Sequence, residues 1–169
     1  MNWDAVGAVG EIIGATAVLL SLLYLGFQIR QNTKSLKSSS YQAAIASMSE
    51  SSNIIASNEQ SARICRTMLF GDTQDLSEDE SFMGSAWLTG LFRNYENFYY
   101  QHQTGAMEDH LWEGMRRTMV GYYNLPNIRE WWGVRKGVYS SEFSAFLESQ
   151  ENDPDFKLTV IPPRSEHDA

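Results

Sequence analysis

Residues 5–29, AVGAVGEIIGATAVLLSLLYLGFQI, decide how this chain is read. Glu11 is their only charged residue, and Ile12 to Ile29 is a run of 18 residues with no charge. A helix of roughly 20 apolar residues crosses a hydrocarbon core of about 30 Å. The stretch therefore reads as a transmembrane helix. A core helix of a soluble domain usually keeps a polar face, and this run has none. A signal peptide carries basic residues before its apolar run and a small-residue cleavage site after it. Here Asp4 precedes the run, and Arg30, Lys34 and Lys37 follow it. Positive residues stay on the cytoplasmic side. The expectation is an inner-membrane protein with its N-terminus outside and everything after Arg30 in the cytoplasm. Trp3 stands where an interfacial aromatic would hold the outer end.

Glu11 does not prevent insertion. Twelve Leu, Ile, Val and Phe residues lie between Ala5 and Ile29, and each favours insertion by roughly 0.3–0.6 kcal/mol. One acid costs about 3 kcal/mol at the helix centre and less near its end. Two readings of Glu11 stay open. It is hydrated among the outer headgroups, or it is an intramembrane polar site turned away from lipid. If four or more helices closed a ring, Glu11 from each copy would form an acidic ring selecting cations. Small residues share that half of the helix. Gly7, Gly10, Gly14, Ala17 and Ser21 follow steps of three and four, and Gly10 with Gly14 makes a GxxxG pair. Such a stripe lets helix backbones approach closely, so it is read as an oligomerisation face.

Subtracting the anchor from 169 residues leaves enough chain for one small domain with its own core. The net charge of −8 argues against a nucleic-acid partner. A single cysteine, Cys65, excludes an internal disulfide and suits a cytoplasmic domain; it reads as a packed thiol rather than a nucleophile.

No Gly or Pro occurs between Gly26 and Gly71, so the membrane helix is expected to continue as a long juxtamembrane helix. Tyr41, Ile45, Met48 and Ile55 fall at helical spacing, with Ser52 interrupting; a flexible linker over Ser35–Ser40 is the competing reading. A helix over about Glu59–Phe70, stopped by Gly71, comes next. Ser77 and Glu80 match a capping box. Leu88, Leu91, Tyr95 and Phe98 then step by three and four to a stop at Gly105. A second helix carries Leu111, Trp112, Met115, Met119, Tyr122 and Tyr123, and the two should form an antiparallel hairpin. Asn127 with Glu130 resembles a further cap leading into IREWWGVRKG, where Trp131 and Trp132 cannot both face one way and Gly137 is the expected stop. Ser140 or Ser141 caps a last helix with Phe143, Phe146 and Leu147 inward. The chain divides into an anchor (1–30), a juxtamembrane helix (31–58), a helical domain (59–151) and an extended or disordered tail (152–169) with a brief KLTVI at 157–161. The fold class is all-α.

Motifs for chemistry are scarce. Glu96, His102 and His110 mark a possible pocket in the hairpin, but neither histidine has the Glu-x-x-His spacing of a helical di-metal site. Phosphate loops, zinc spacings and nucleophile elbows are missing from the sequence. No catalytic, cofactor-binding or metal residue is assigned, and an enzyme is the less favoured reading.

WDAVGAVGEIIGATAVLLSLLYLGFQIRQNT, RNYENFYYQHQTG, LWEGM, LPNIREWW and SSEFSAF, in that order, resemble a large family of uncharacterised bacterial proteins with one N-terminal transmembrane helix and a cytoplasmic α-helical domain. The resemblance reaches to about Leu147. It places Glu11, Gln28, Arg30, Asn32, Asn94, Glu96, Trp131 and Trp132 in the recognisable motifs and implies no activity for them. The expected function is a single-pass, self-associating membrane protein that presents a helical interaction domain to a cytoplasmic protein partner. A cation-conducting pore, or a membrane-anchored enzyme or ligand sensor, are the alternatives.

Overall fold

Helix α1 runs from Trp3 to Ser57 without a break, Ser35–Ser40 included. Nothing in that stretch forces a stop, because no proline interrupts it, and Ser51 and Ser52 turn their hydroxyls back onto the helix. This is a computed structural model, and it describes residues 2–151 with Phe156 and Leu158, the side chains of Ala5 and Val6 excepted. Apart from Phe156 and Leu158, the expected tail and its KLTVI run lie outside the described residues. The chain forms two compact units, Met1–Tyr41 and Gln42–Ala169.

The first unit is the apolar part of α1, long and apolar enough to cross a membrane. Its large side chains face outward on every side of the helix, from Ile12 and Leu19 to Leu23 and Phe27. Some of its hydroxyls turn back onto the helix. Thr16, Ser21 and Thr33 each donate to the carbonyl four residues earlier, at 2.8, 2.8 and 2.9 Å.

The second unit is a helical bundle. It holds the end of α1, then α2 (Glu59–Phe70), α3 (Glu78–Gln103), α4 (Asp109–Tyr123), α5 (Pro126–Arg135) and α6 (Ser141–Glu148). Among the described residues there is no strand, and the protein is all-α. Ala44 is buried, and Ile45, Met48, Ser51 and Ile55 are half-buried at helical spacing. Ser51 thus takes the inward position, while Ser52 is exposed and bonded to the Met48 carbonyl. Ser47 Oγ donates to Asn94 Oδ1 at 3.1 Å, tying the end of α1 to α3.

Helix α2 begins at Asn58, whose side chain accepts from the Gln60 and Ser61 amides. It buries Ile64, Cys65, Met68 and Leu69, and it packs on α3 and α5. Gly84 makes the α3 contact close: a Cβ there would lie 2.5 Å from Met68 Cγ and 3.2 Å from Ile64 Cγ2. Helix α3 opens with the expected capping box between Ser77 and Glu80. It closes on Gly105, the one described residue with positive φ, at 65°. The Gly105 amide donates to the His102 carbonyl and the Ala106 amide to the Gln101 carbonyl, which is the Schellman pattern. The chain then reverses. His102 meets Trp112 and Tyr95 meets Tyr122, so α3 and α4 are antiparallel.

Two cap expectations need correction. Asn127 and Glu130 do not cap α5, which starts with Pro126 at its first position, where a missing amide hydrogen is harmless. Asn127 Nδ2 instead donates to the Gly71 carbonyl at 2.9 Å and lies 3.4 Å from the Thr67 carbonyl, satisfying the end of α2. Gly137 is not the stop of α5 either; the helix ends at Arg135 and passes into a 3₁₀ turn, Lys136–Val138. Ser140, not Ser141, caps α6 through the Phe143 amide.

Aromatic rings fill the core. Phe92, Tyr95, Phe98, Trp132 and Phe143 are nearly inaccessible to solvent. Trp132 stacks on Tyr139 at 4.9 Å and meets Phe92 at 5.4 Å. Trp131, half-buried, covers the α3 surface and donates from Nε1 to Ser85 Oγ at 2.9 Å.

Candidate functional site

On the first unit, Gly7, Gly10, Gly14, Ala17 and Ser21 are all exposed. At 100° per residue they span an arc of roughly 80°, with Glu11 at its edge. A Cβ added at Gly7, Gly10 or Gly14 would meet nothing within 4 Å. The stripe is an open, smooth surface, and Ser21 keeps it so by bonding its hydroxyl to the Ala17 carbonyl.

On the second unit, the expected pocket residues do not converge. Glu96 Oε1 accepts the Ser140 amide at 2.7 Å, and its other oxygen pairs with Arg93. Arg93 also donates to the Val138 carbonyl at 2.8 Å and lies over the Tyr139 ring. Glu96 is therefore a rivet that holds the start of α6 to α3. His102 stacks flat on Trp112, with ring centroids 4.6 Å apart and 11° between planes, and its Nε2 lies 3.4 Å from Asp109. His110 is exposed and has only Glu108 nearby, at 3.5 Å. Each of the three is engaged locally.

A shallow groove of about 790 Å³ does run along the outward side of α3, lined by Arg93, Glu96, Asn97, Tyr100, Gln103 and Glu142. It contains Glu96 but neither histidine. Among the described residues, no three His, Cys, Asp or Glu side chains gather closely enough to hold a metal ion. Burial pushes the Cys65 thiol up to about 11, which leaves almost no thiolate at neutral pH. Burial likewise raises Tyr139 to about 12. The Arg116 guanidinium, with Arg117 beside it, lowers Glu113 to about 2. These are groups held in a packed domain, not a poised acid and base.

Sequence reasoning missed Arg93, Gly84 and Gly121, and it gave Asn127 the wrong role. The glycines carried a signal, since glycine weakens a helix interior and needs a local reason there. Nothing in the sequence pointed Arg93 or Asn127 to its partner, because those partners lie 45 and 56 residues away.

The fold defines a class: an all-α chain with one long, outward-apolar helix and an aromatic helical bundle. Compared with known proteins, the chain matches no family model, no curated protein and no solved structure.

Proposed function

We propose that the protein is a single-pass membrane protein that self-associates through α1 and presents its helical bundle to a cytoplasmic protein partner. One observation carries this reading. The large apolar side chains of the first unit are exposed all round the helix, in a run of the length a bilayer requires. In water such a surface would be a severe liability, far larger than the patches soluble monomers tolerate. In lipid it is the expected surface, and the hydroxyls bonded back to the helix leave little polar surface facing hydrocarbon.

Arg30, Lys34 and Lys37 support an orientation with the bundle inside, by the positive-inside rule. The open small-residue stripe supports association of copies, because close backbone approach drives helix pairing in lipid. Among the described residues no cluster on the bundle favours catalysis, and the bundle is read as an interaction module.

Two measurements test this. The full-length protein should stay with the membrane pellet after alkaline carbonate washing; release into the supernatant would overturn the anchor. In mild detergent, Gly10→Leu with Gly14→Leu should lower the mass of the assembly, since two large side chains would fill the stripe. An unchanged mass would remove the stripe as the contact.

A further inference from the structure

Helix α4 has two interior glycines, and they stand in different surroundings. A Cβ at Gly114 would meet nothing within 4 Å, whereas a Cβ at Gly121 would lie 2.7 Å from Phe156 Cε1, 3.1 Å from Phe156 Cδ1 and 3.9 Å from Leu158 Cβ. The distance of 2.7 Å is closer than a real Cβ comes, and that of 3.1 Å is tight. The Phe156 ring therefore rests on bare helix backbone at Gly121, one of the two places where α4 has no side chain. Phe156 and Leu158 are both half-buried there. Alternate residues of an extended segment point the same way, so a Phe-x-Leu pair can lay both apolar groups on one helix face.

The approach to this place is also held. Arg116, braced by two bonds to Glu113 at 2.9 and 3.0 Å, donates from Nη1 to Gln150 Oε1 at 3.1 Å. That bond brings the end of the α6 region alongside α4 before Gly121 is reached. Five residues of helix advance about 7.5 Å from Arg116 to Gly121. Six residues of chain from Gln150 to Phe156 reach up to about 20 Å. The connection is ample and needs no strain.

We propose that Gly121 is the floor of a peptide-binding seat on α4, which takes an aromatic-x-aliphatic segment and is filled in cis by Phe156 and Leu158. Gly121 is present because the seat needs backbone there, at the expense of helix stability. Every residue of the seat lies in the bundle unit, so the seat would operate whether or not α1 is in lipid.

Trypsin reads the seat directly, because Lys157 lies between the two seated residues. Cleavage at Lys157 in the full-length protein in mild detergent should track the fraction of unseated segment. Phe156→Ala and Gly121→Ala should each raise that cleavage rate about tenfold, one by removing the ring and the other by blocking its floor. Gly114→Ala makes the same helix-strengthening change where nothing is displaced, and it should leave the rate as in the wild type. Melting curves taken alongside should show Gly121→Ala no less stable than the wild type, which separates unseating from unfolding. Equal rates in the wild type, Phe156→Ala and Gly121→Ala would overturn the proposal, as would an equal rise in Gly114→Ala and Gly121→Ala.

Discussion

Leu22 and Leu23 on the first part of α1 are 59% and 71% exposed, whereas Leu88 and Leu91 on α3 are 0% and 8% exposed. The residue type and the helical backbone are the same; the exposure differs. The bundle unit hides its apolar side chains by alternating them with polar ones at helical spacing, so that one face closes against neighbours. The first unit has no such alternation along its apolar run. The glycines follow this contrast only in part. Gly7, Gly10, Gly14 and Gly26 have open space where a side chain would be, and so do Gly90, Gly114, Gly133 and Gly137 of the bundle unit, whereas Gly84 and Gly121 have another residue there. Among these glycines, the two whose side-chain space is taken by a neighbour both lie in the bundle unit.

The sharpest way to break this contrast is to truncate one large side chain in each unit. Trp132→Ala empties a site ringed by Phe92, Tyr123, Tyr139 and Phe143, and should destabilise the bundle by about 3–5 kcal/mol in denaturant unfolding. Leu22→Ala on the exposed surface should leave the bundle's unfolding midpoint where it was. A loss of similar size from both would mean that the two units do not differ as described.

A smaller effect is expected at the glycines. Gly84→Val places a branched side chain against Met68 and Ile64, and should cost about 1–3 kcal/mol through overpacking between α2 and α3. Gly26→Ala, where nothing lies within 4 Å, should leave thermal unfolding of the bundle unchanged. Finding Gly84→Val neutral would show that Met68 simply swings aside.

The smallest effect concerns charge. Glu113 is held at about 2 by its hydrogen bonds from Arg116 and Arg117, below its ordinary value of 4.5. A carboxylate lowered in the folded state adds stability above its unfolded value and loses it as the pH falls through the folded one. The Tm of the wild type should therefore drop between about pH 4.5 and 2, and the drop should be shallower in Glu113→Gln. The pair is partly exposed, so salt screens it and the difference is modest. Identical slopes in the two proteins would remove Glu113 from the acid response.

Much of the architecture was legible in the chain. The inward face of α3, the capping box at Ser77 and Glu80, and the Gly105 turn all depend on residues within a few positions of one another. Local hydrogen bonding and helical spacing settle such features before any tertiary contact forms. The apolar run of α1 is legible for the same reason, since length and lack of charge are properties of the segment alone.

What the chain did not disclose are contacts between residues far apart in sequence. Asn127 was read as a local cap by its type and spacing, yet it serves the end of α2. The proline beside it starts α5 without help, while the Gly71 carbonyl needed a donor. Glu96, His102 and His110 were drawn as one pocket because they share the α3–α4 hairpin, but the packing of α6 and α4 gives Glu96 and His102 separate partners. Sequence alone determined the helices, the Ser77–Glu80 cap, the Gly105 turn and the apolar length of α1, because those follow from short-range backbone chemistry. Only the tertiary structure decided which carboxylate holds α6, which tryptophan is core and which glycine is a seat, because burial is assigned by the neighbours that folding brings together.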